Sequence, residues 1–119
     1  MRYPTDTYLH DGHIYNLTKT RLLLRNRETF YLPLKDLVWV LKHDSPDPER
    51  VAKAKHRYPL FVTRWRGKWV VVDGLHRLER YRQMGVQDIP VKEVTPDILK
   101  QTLVHPHSFQ AAFLRKQTK

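Results

Sequence analysis

The chain contains no cysteine, which excludes disulfide bridges, thiolate metal sites and any cysteine nucleophile within it. That is compatible with a reducing cytoplasm, the compartment expected here. No apolar run approaches the ~18 residues of a membrane span. The first residues, with Asp6, His10 and Asp11, lack the charged-then-apolar order of a signal peptide. Internal repeats and low-complexity linkers are missing too, so 119 residues are expected to form one domain with a modest core. Negative charge is scarce: 12 acidic residues face 22 basic ones, for a net charge of +10. Such an excess favours polyanionic partners, whether nucleotides, nucleic acid or an acidic protein surface. A basic protein that is merely kept dispersed by its charge is the plainer alternative.

Hydrophobic residues make up 40% of the chain, with three tryptophans, so it is expected to fold. Residues 1–12 read as an irregular arm and 14–17 as a short strand. Thr18 is the expected cap of a helical turn around Leu22, Leu23 and Leu24, interrupted by Arg25-Asn26-Arg27. Residues 29–32 have strand composition, which Pro33 ends. Leu34, Leu37, Val38 and Leu41 recur at i, i+3, i+4 and i+7, which predicts a helix over 34–42. Asp47 followed by Pro48 is an N-cap signature for a helix over 49–56, a mostly polar one with only Val51 and Ala54 to bury. Leu60-Phe61-Val62-Thr63 and the strand at Trp69 make a hairpin, with the turn at Arg64-Trp65-Arg66-Gly67. Thr95-Pro96-Asp97 starts a helix to about residue 103. After Pro106 a last helix is expected over 107–116, with Phe109, Ala112 and Phe113 on its apolar side. Strands and helices alternate, which gives an α+β (mixed α/β) class with a small mixed sheet flanked by helices. The core is expected over about 29–104, between the arm and the C-terminal helix.

Residues 68–91, KWVVVDGLHRLERYRQMGVQDIPV, are the stretch on which function is expected to centre. Trp69-Val70-Val71-Val72 is one buried strand, Asp73-Gly74 breaks it, and a helix over 75–84 ends at Gly85, where a left-handed C-terminal glycine belongs. Ile89-Pro90-Val91 starts the next strand. The N-terminus of that helix collects free N–H groups and the positive dipole end, which suits a phosphate. Gly74 permits close backbone approach, and the turn from Leu75 presents the N–H groups. His76, Arg77 and Arg80 add positive charge. Arg77 can hold phosphate oxygens bidentately, as lysine cannot. His76 can donate to a phosphate or act as an acid near neutral pH. Asp73 can cap the helix, hold an arginine or ligate magnesium. An ordinary turn with solvated His76 and Arg77 is the bland alternative.

Val72-Asp73-Gly74-Leu75-His76-Arg77, followed by Gly85 and Ile89-Pro90-Val91, resembles the DGxHR signature of the ParB/sulfiredoxin superfamily. The similarity extends upstream to Tyr31-Leu32-Pro33-Leu34-Lys35-Asp36-Leu37 and Tyr58-Pro59-Leu60-Phe61-Val62, and covers about half the chain. In that superfamily the equivalent turn holds nucleotide phosphates. The resemblance therefore implies that role for Gly74, His76 and Arg77, with ATP, ADP or CTP as the nucleotide and magnesium accompanying it. Two departures narrow the expectation. Sulfiredoxins carry a cysteine where this chain has Leu75, so sulfinic acid reduction by that route is excluded. Partition-type ParB proteins are longer, with a helix-turn-helix and a second nucleotide motif, and a chain ending at Lys119 leaves room for neither. The expectation is a free-standing domain of a class that includes nucleases, small-molecule kinases and nucleotide-dependent switches, many from phages or plasmids.

His43-Asp44, with Pro48-Glu49-Arg50-Val51, resembles the H-E…P-E-R-V segment of free-serine kinases in that superfamily. This implies Asp44 as base toward a hydroxyl acceptor; a polar loop before a helix cap is the plainer reading. His76, Asp73 and Asp44 are thus the catalytic candidates. Basic and aromatic residues interleave around Lys53, Lys55 and Arg57 and around Arg64, Arg66 and Lys68. That mixture suits single-stranded nucleic acid, although tryptophans in a hairpin more often pack. His10 with His13, and His105 with His107, lack the further ligands of a zinc signature, and no transition-metal site is expected. The leading expectation is a nucleotide- or phosphate-binding protein that can act on phosphoryl or phosphodiester bonds. Alternatives are a DNA-binding protein or nuclease using the basic surface, a small-molecule kinase, and a non-enzymatic protein-binding module such as a phage factor acting on a host protein.

Overall fold

The computed structural model describes residues 6–55 and 58–104. In chain order the elements are β1 (Thr7–His10), β2 (His13–Asn16), α1 (Leu17–Leu24), β3 (Phe30–Pro33), two 3-10 turns (Leu34–Asp36 and Val38–Lys42), α2 (Pro48–Lys53), β4 (Leu60–Trp65), β5 (Lys68–Asp73), α3 (Leu75–Gln83), β6 (Asp88–Glu93) and α4 (Pro96–Thr102). They fall into two compact units: Arg27–Val94, and a second unit built from the segments before and after it.

In the second unit the part of the expected irregular arm that lies within the described residues belongs to a β-hairpin instead. β1 and β2 pair antiparallel, which sets Tyr8 opposite Tyr15 with their rings stacked 5.2 Å apart. Cross-strand aromatic pairs of this kind stabilise a hairpin, and they are invisible until the two strands are in register. The cap of α1 is also corrected, from Thr18 to Asn16, whose Oδ1 accepts from the Lys19 N–H at 3.0 Å. Asn16 ends a strand and so already has the extended backbone an N-cap needs. Asn16→Ala is expected to lower stability by about 1 kcal/mol, seen as an earlier midpoint in urea denaturation. Thr95 caps α4, its hydroxyl accepting from the Ile98 N–H at 3.4 Å, and α1 and α4 pack together. The helix expected over 107–116 lies outside the described residues.

The Arg27–Val94 unit carries a four-stranded sheet in the order β3-β6-β4-β5. β3 and β6 are antiparallel, β6 and β4 parallel, β4 and β5 antiparallel, so the sheet is mixed and the class α+β. Leu60 and Val62 of β4, Ile89 and Val91 of β6, and Leu78 and Tyr81 of α3 form its core with Leu37 and Val40. Each fully buried aliphatic side chain here contributes about 1.5–3 kcal/mol relative to exposure.

The single helix expected over 34–42 is replaced by the two 3-10 turns, broken at Leu37 (φ −113°). With three residues per turn, positions 34, 37 and 40 fall in line. Leu37 and Val40 are therefore buried and Leu34 packs beside them, while Val38 is left off the core. α2 has its expected cap, Asp47 accepting from the Glu49 N–H at 3.2 Å, but ends at Lys53; Ala54 is already extended. Val51 is its one buried residue, too little to hold a longer helix in place.

α3 ends as expected at Gly85 (φ +74°). The Val86 N–H reaches the Tyr81 carbonyl at 3.0 Å and the Gly85 N–H the Arg82 carbonyl at 3.1 Å, a Schellman closure that turns the chain into β6. At the other end, β5 is an edge strand and α3 leaves directly from it. The first turn of α3 is thereby set at the margin of the sheet.

Candidate phosphate-binding site

Asp73 closes β5, and Gly74 takes φ +110° before α3 begins. Only glycine suits that angle, and a Cβ at Gly74 would stand 2.9 Å from Cγ of the fully buried Leu60. The first helical bond runs from the Leu78 N–H to the Gly74 carbonyl, 2.9 Å. Among the described residues no side chain caps α3. The N–H groups of Leu75, His76 and Arg77 thus have no intrahelical partner.

His76 and Arg77 border a cavity of about 300 Å³, at the small end of ligand pockets. His76, Arg77, Asp73 and Gly74 line one side; Arg50, Ala54, Lys55 and Tyr58 line the other, brought there by α2 packing beside α3. An Arg77 terminal nitrogen donates to the Pro59 carbonyl at 2.9 Å, and the guanidinium lies 5.8 Å from the Tyr58 ring centroid. One edge of the fork is anchored and the rest remains to meet an anion.

Burial lowers the His76 pKa from its ordinary value, and the Arg50 charge lowers it further; Asp47 and Asp44 oppose them. His76 is therefore neutral at pH 7, able to donate from one ring nitrogen and accept at the other. Arg50→Ala is expected to raise this pKa and Asp44→Asn to lower it. Both shifts can be read from the imidazole ¹H resonance against pH; no movement in either variant would place those charges elsewhere.

Of the residues singled out by sequence, Asp73, Gly74, His76 and Arg77 come together at the cavity, joined by Lys55. Leu75 is not part of the lining, and its side chain packs against the core. Asp44 is close enough for its charge to act on His76, though it does not line the cavity. Arg80 is not part of the lining, and its Nε is buried without a hydrogen-bond partner among the described residues. Lys53 is exposed on α2, and Arg57 lies outside the described residues. Arg64, Arg66 and Lys68 sit at the far end of the β4–β5 hairpin: Lys68 is five positions before Asp73, roughly 17 Å of extended strand. Arg50 was missed by sequence reasoning. Its signal in the sequence is its place in the Pro48-Glu49-Arg50-Val51 segment.

His10 and His13 face each other across the first hairpin, and His105 and His107 lie outside the described residues. Among the described residues no three His, Asp or Glu side chains gather into a metal-binding group. No described helix is long and apolar enough to cross a membrane.

No family model matches the sequence, and neither does any curated protein. Two solved structures resemble part of the chain. Sulfiredoxin from Arabidopsis thaliana is 23% identical, with a TM-score of 0.47 over 62% of this chain and 94% of its own. SbnI with a C-terminal truncation, from Staphylococcus aureus, is 25% identical, with a TM-score of 0.48 over 58% of this chain and 31% of its own.

Proposed function

We propose that the protein binds a nucleotide or another phosphate-bearing ligand in the cavity at the start of α3. The observation that carries this reading is the convergence of Arg77, Arg50 and Lys55 on the cavity that the uncapped first turn borders. Three cations against the single carboxylate of Asp73 favour an anion, and the helix dipole adds to them. The DGxHR resemblance of residues 73–77 supports the same assignment. Magnesium fits here only as a companion of the phosphates, since Asp73 is the one carboxylate in the lining and would hold the ion jointly with ligand oxygens. ATP, ADP or CTP with magnesium is expected to raise the melting temperature of the native chain. No shift with any of the three would sink the reading.

A second reading, a small-molecule kinase, is supported by the resemblance of His43-Asp44 and Pro48-Glu49-Arg50-Val51 to the free-serine kinase segment, with Arg50 of that segment in the cavity lining. Asp44 would take the proton of an acceptor hydroxyl as that oxygen bonds to the terminal phosphorus. The bridging P–O bond then breaks, with its electron pair leaving on the nucleoside diphosphate. Asp44→Asn should abolish label transfer from [γ-³²P]ATP to small hydroxyl acceptors, free serine among them, while the thermal shift persists. Absence of transfer in the native chain across such a panel would exclude it.

A further inference from the structure

The cavity leaves unused the three cations at the tip of the β4–β5 hairpin, and their setting is unusual. The Arg64 guanidinium carbon lies 4.4 Å from the Trp69 ring centroid, that of Arg66 4.5 Å from Trp65, and the Lys68 ammonium 5.0 Å from Trp39. Strand register explains the first contact, since Arg64 opposes Trp69; Arg66 follows Trp65 directly in the chain. Trp39 is tied in by its indole N–H, which donates to the Trp69 carbonyl at 3.0 Å and so covers the edge of β5. All three cations are exposed, and among the described residues none is paired with a carboxylate.

A cation held over an indole keeps its charge and its N–H edge, whereas a salt bridge would consume both. It is also pre-ordered, so less rotamer freedom is lost when a phosphate arrives. An arginine plane on an aromatic ring is in addition a surface on which an unpaired base can stack. From these features we propose that the hairpin tip, through Arg64, Arg66 and Lys68 on their tryptophans, binds single-stranded nucleic acid. This site is separate from the cavity and does not depend on it. The shared chemistry is a phosphodiester strand with exposed bases, DNA or RNA; an acidic peptide offers the charge but no bases.

The chain has three tryptophans, and all three belong to this cluster, so tryptophan emission, excited selectively over the six tyrosines, reports on it. Oligothymidylate and oligouridylate of about 16 nucleotides are titrated into the full chain, with polyglutamate as the base-free control. Quenching by either strand is expected, with affinity falling about 18-fold between roughly 50 and 200 mM salt if three phosphates are contacted at a slope near −0.7 each. Arg66→Asn suits the turn, since Arg66 has φ +51° and asparagine tolerates positive φ; like Lys68→Gln, it should weaken binding and flatten the salt slope by roughly 0.7. Arg77→Ala should leave strand binding unchanged. No quenching at low salt, equal binding of polyglutamate, an unaltered slope in both tip variants, or loss of binding in Arg77→Ala would each overturn the proposal. The last would assign the strand to the cavity.

Discussion

Arg77→Ala is expected to abolish the rise in melting temperature proposed for the native chain with a nucleotide and magnesium. A ligand at a hundred times its dissociation constant stabilises a fold by about 2.7 kcal/mol, roughly 10 °C for a domain of this size. Most of that is expected to depend on Arg77, which lines the cavity at the first turn of α3 and is already oriented by a backbone carbonyl. Its bond to Pro59 also makes a smaller, ligand-independent contribution of about 1 kcal/mol, so the unliganded variant should melt a little earlier. Arg77→Lys separates the two roles. Lysine keeps the charge but cannot hold a carbonyl and grip a phosphate with one rigid fork, so well under half of the shift should survive. A full shift in Arg77→Ala would remove Arg77 from the site.

Gly74→Ala should be the most damaging single methyl that can be added to the turn. Two independent costs combine. A non-glycine residue at φ +110° is strained by about 1–2 kcal/mol. The new Cβ would also meet Leu60 Cγ at 2.9 Å, with Leu60 Cα and Cβ at 3.4 Å, and Leu60 is fully buried in the core. Overpacking of this kind adds about 1–3 kcal/mol. The sum, roughly 2–5 kcal/mol, is a large share of a small domain's stability and should move the urea midpoint down by about 1 M or more. Gly67→Ala, with nothing within 4 Å of its Cβ and φ +76°, should carry only the strain. Leu60→Ala in the Gly74→Ala background should be less harmful than the two single changes added together, because truncating Leu60 relieves the clash. Equal effects at Gly74 and Gly67 would mean the contact with Leu60 is not felt.

The local features of the central stretch were legible in residues 68–91. A β-branched run, a glycine where the chain must turn, and a glycine after the last helical residue are signals carried by neighbours in sequence. The caps at Asp47 and Thr95 belong to the same kind, since an oxygen on the side chain and a proline behind it suffice. Where reasoning along the chain failed, the deciding partner was distant. Residues 34–42 satisfy a helical period and a 3-10 period nearly equally, and the core beneath Leu37 and Val40 chose the second. Tyr8 and Tyr15 needed the hairpin register before their stacking could replace the irregular arm.

The same division applies to the sites. Sequence by itself determined that a glycine-started helix would carry His76 and Arg77 at its N-terminus, and that no cysteine chemistry could take place there. It could not determine what faces that turn, because α2 is joined to α3 through an entire hairpin. Only the tertiary packing of α2 against α3 brings Arg50 and Lys55 to the cavity and sets the charges of Asp44 and Asp47 against His76. Tertiary structure also divided the basic residues, leaving Lys55 at the cavity and Arg64, Arg66 and Lys68 on tryptophans at the far end of β5. A charge count along the chain is blind to that separation, since strand length and direction decide it.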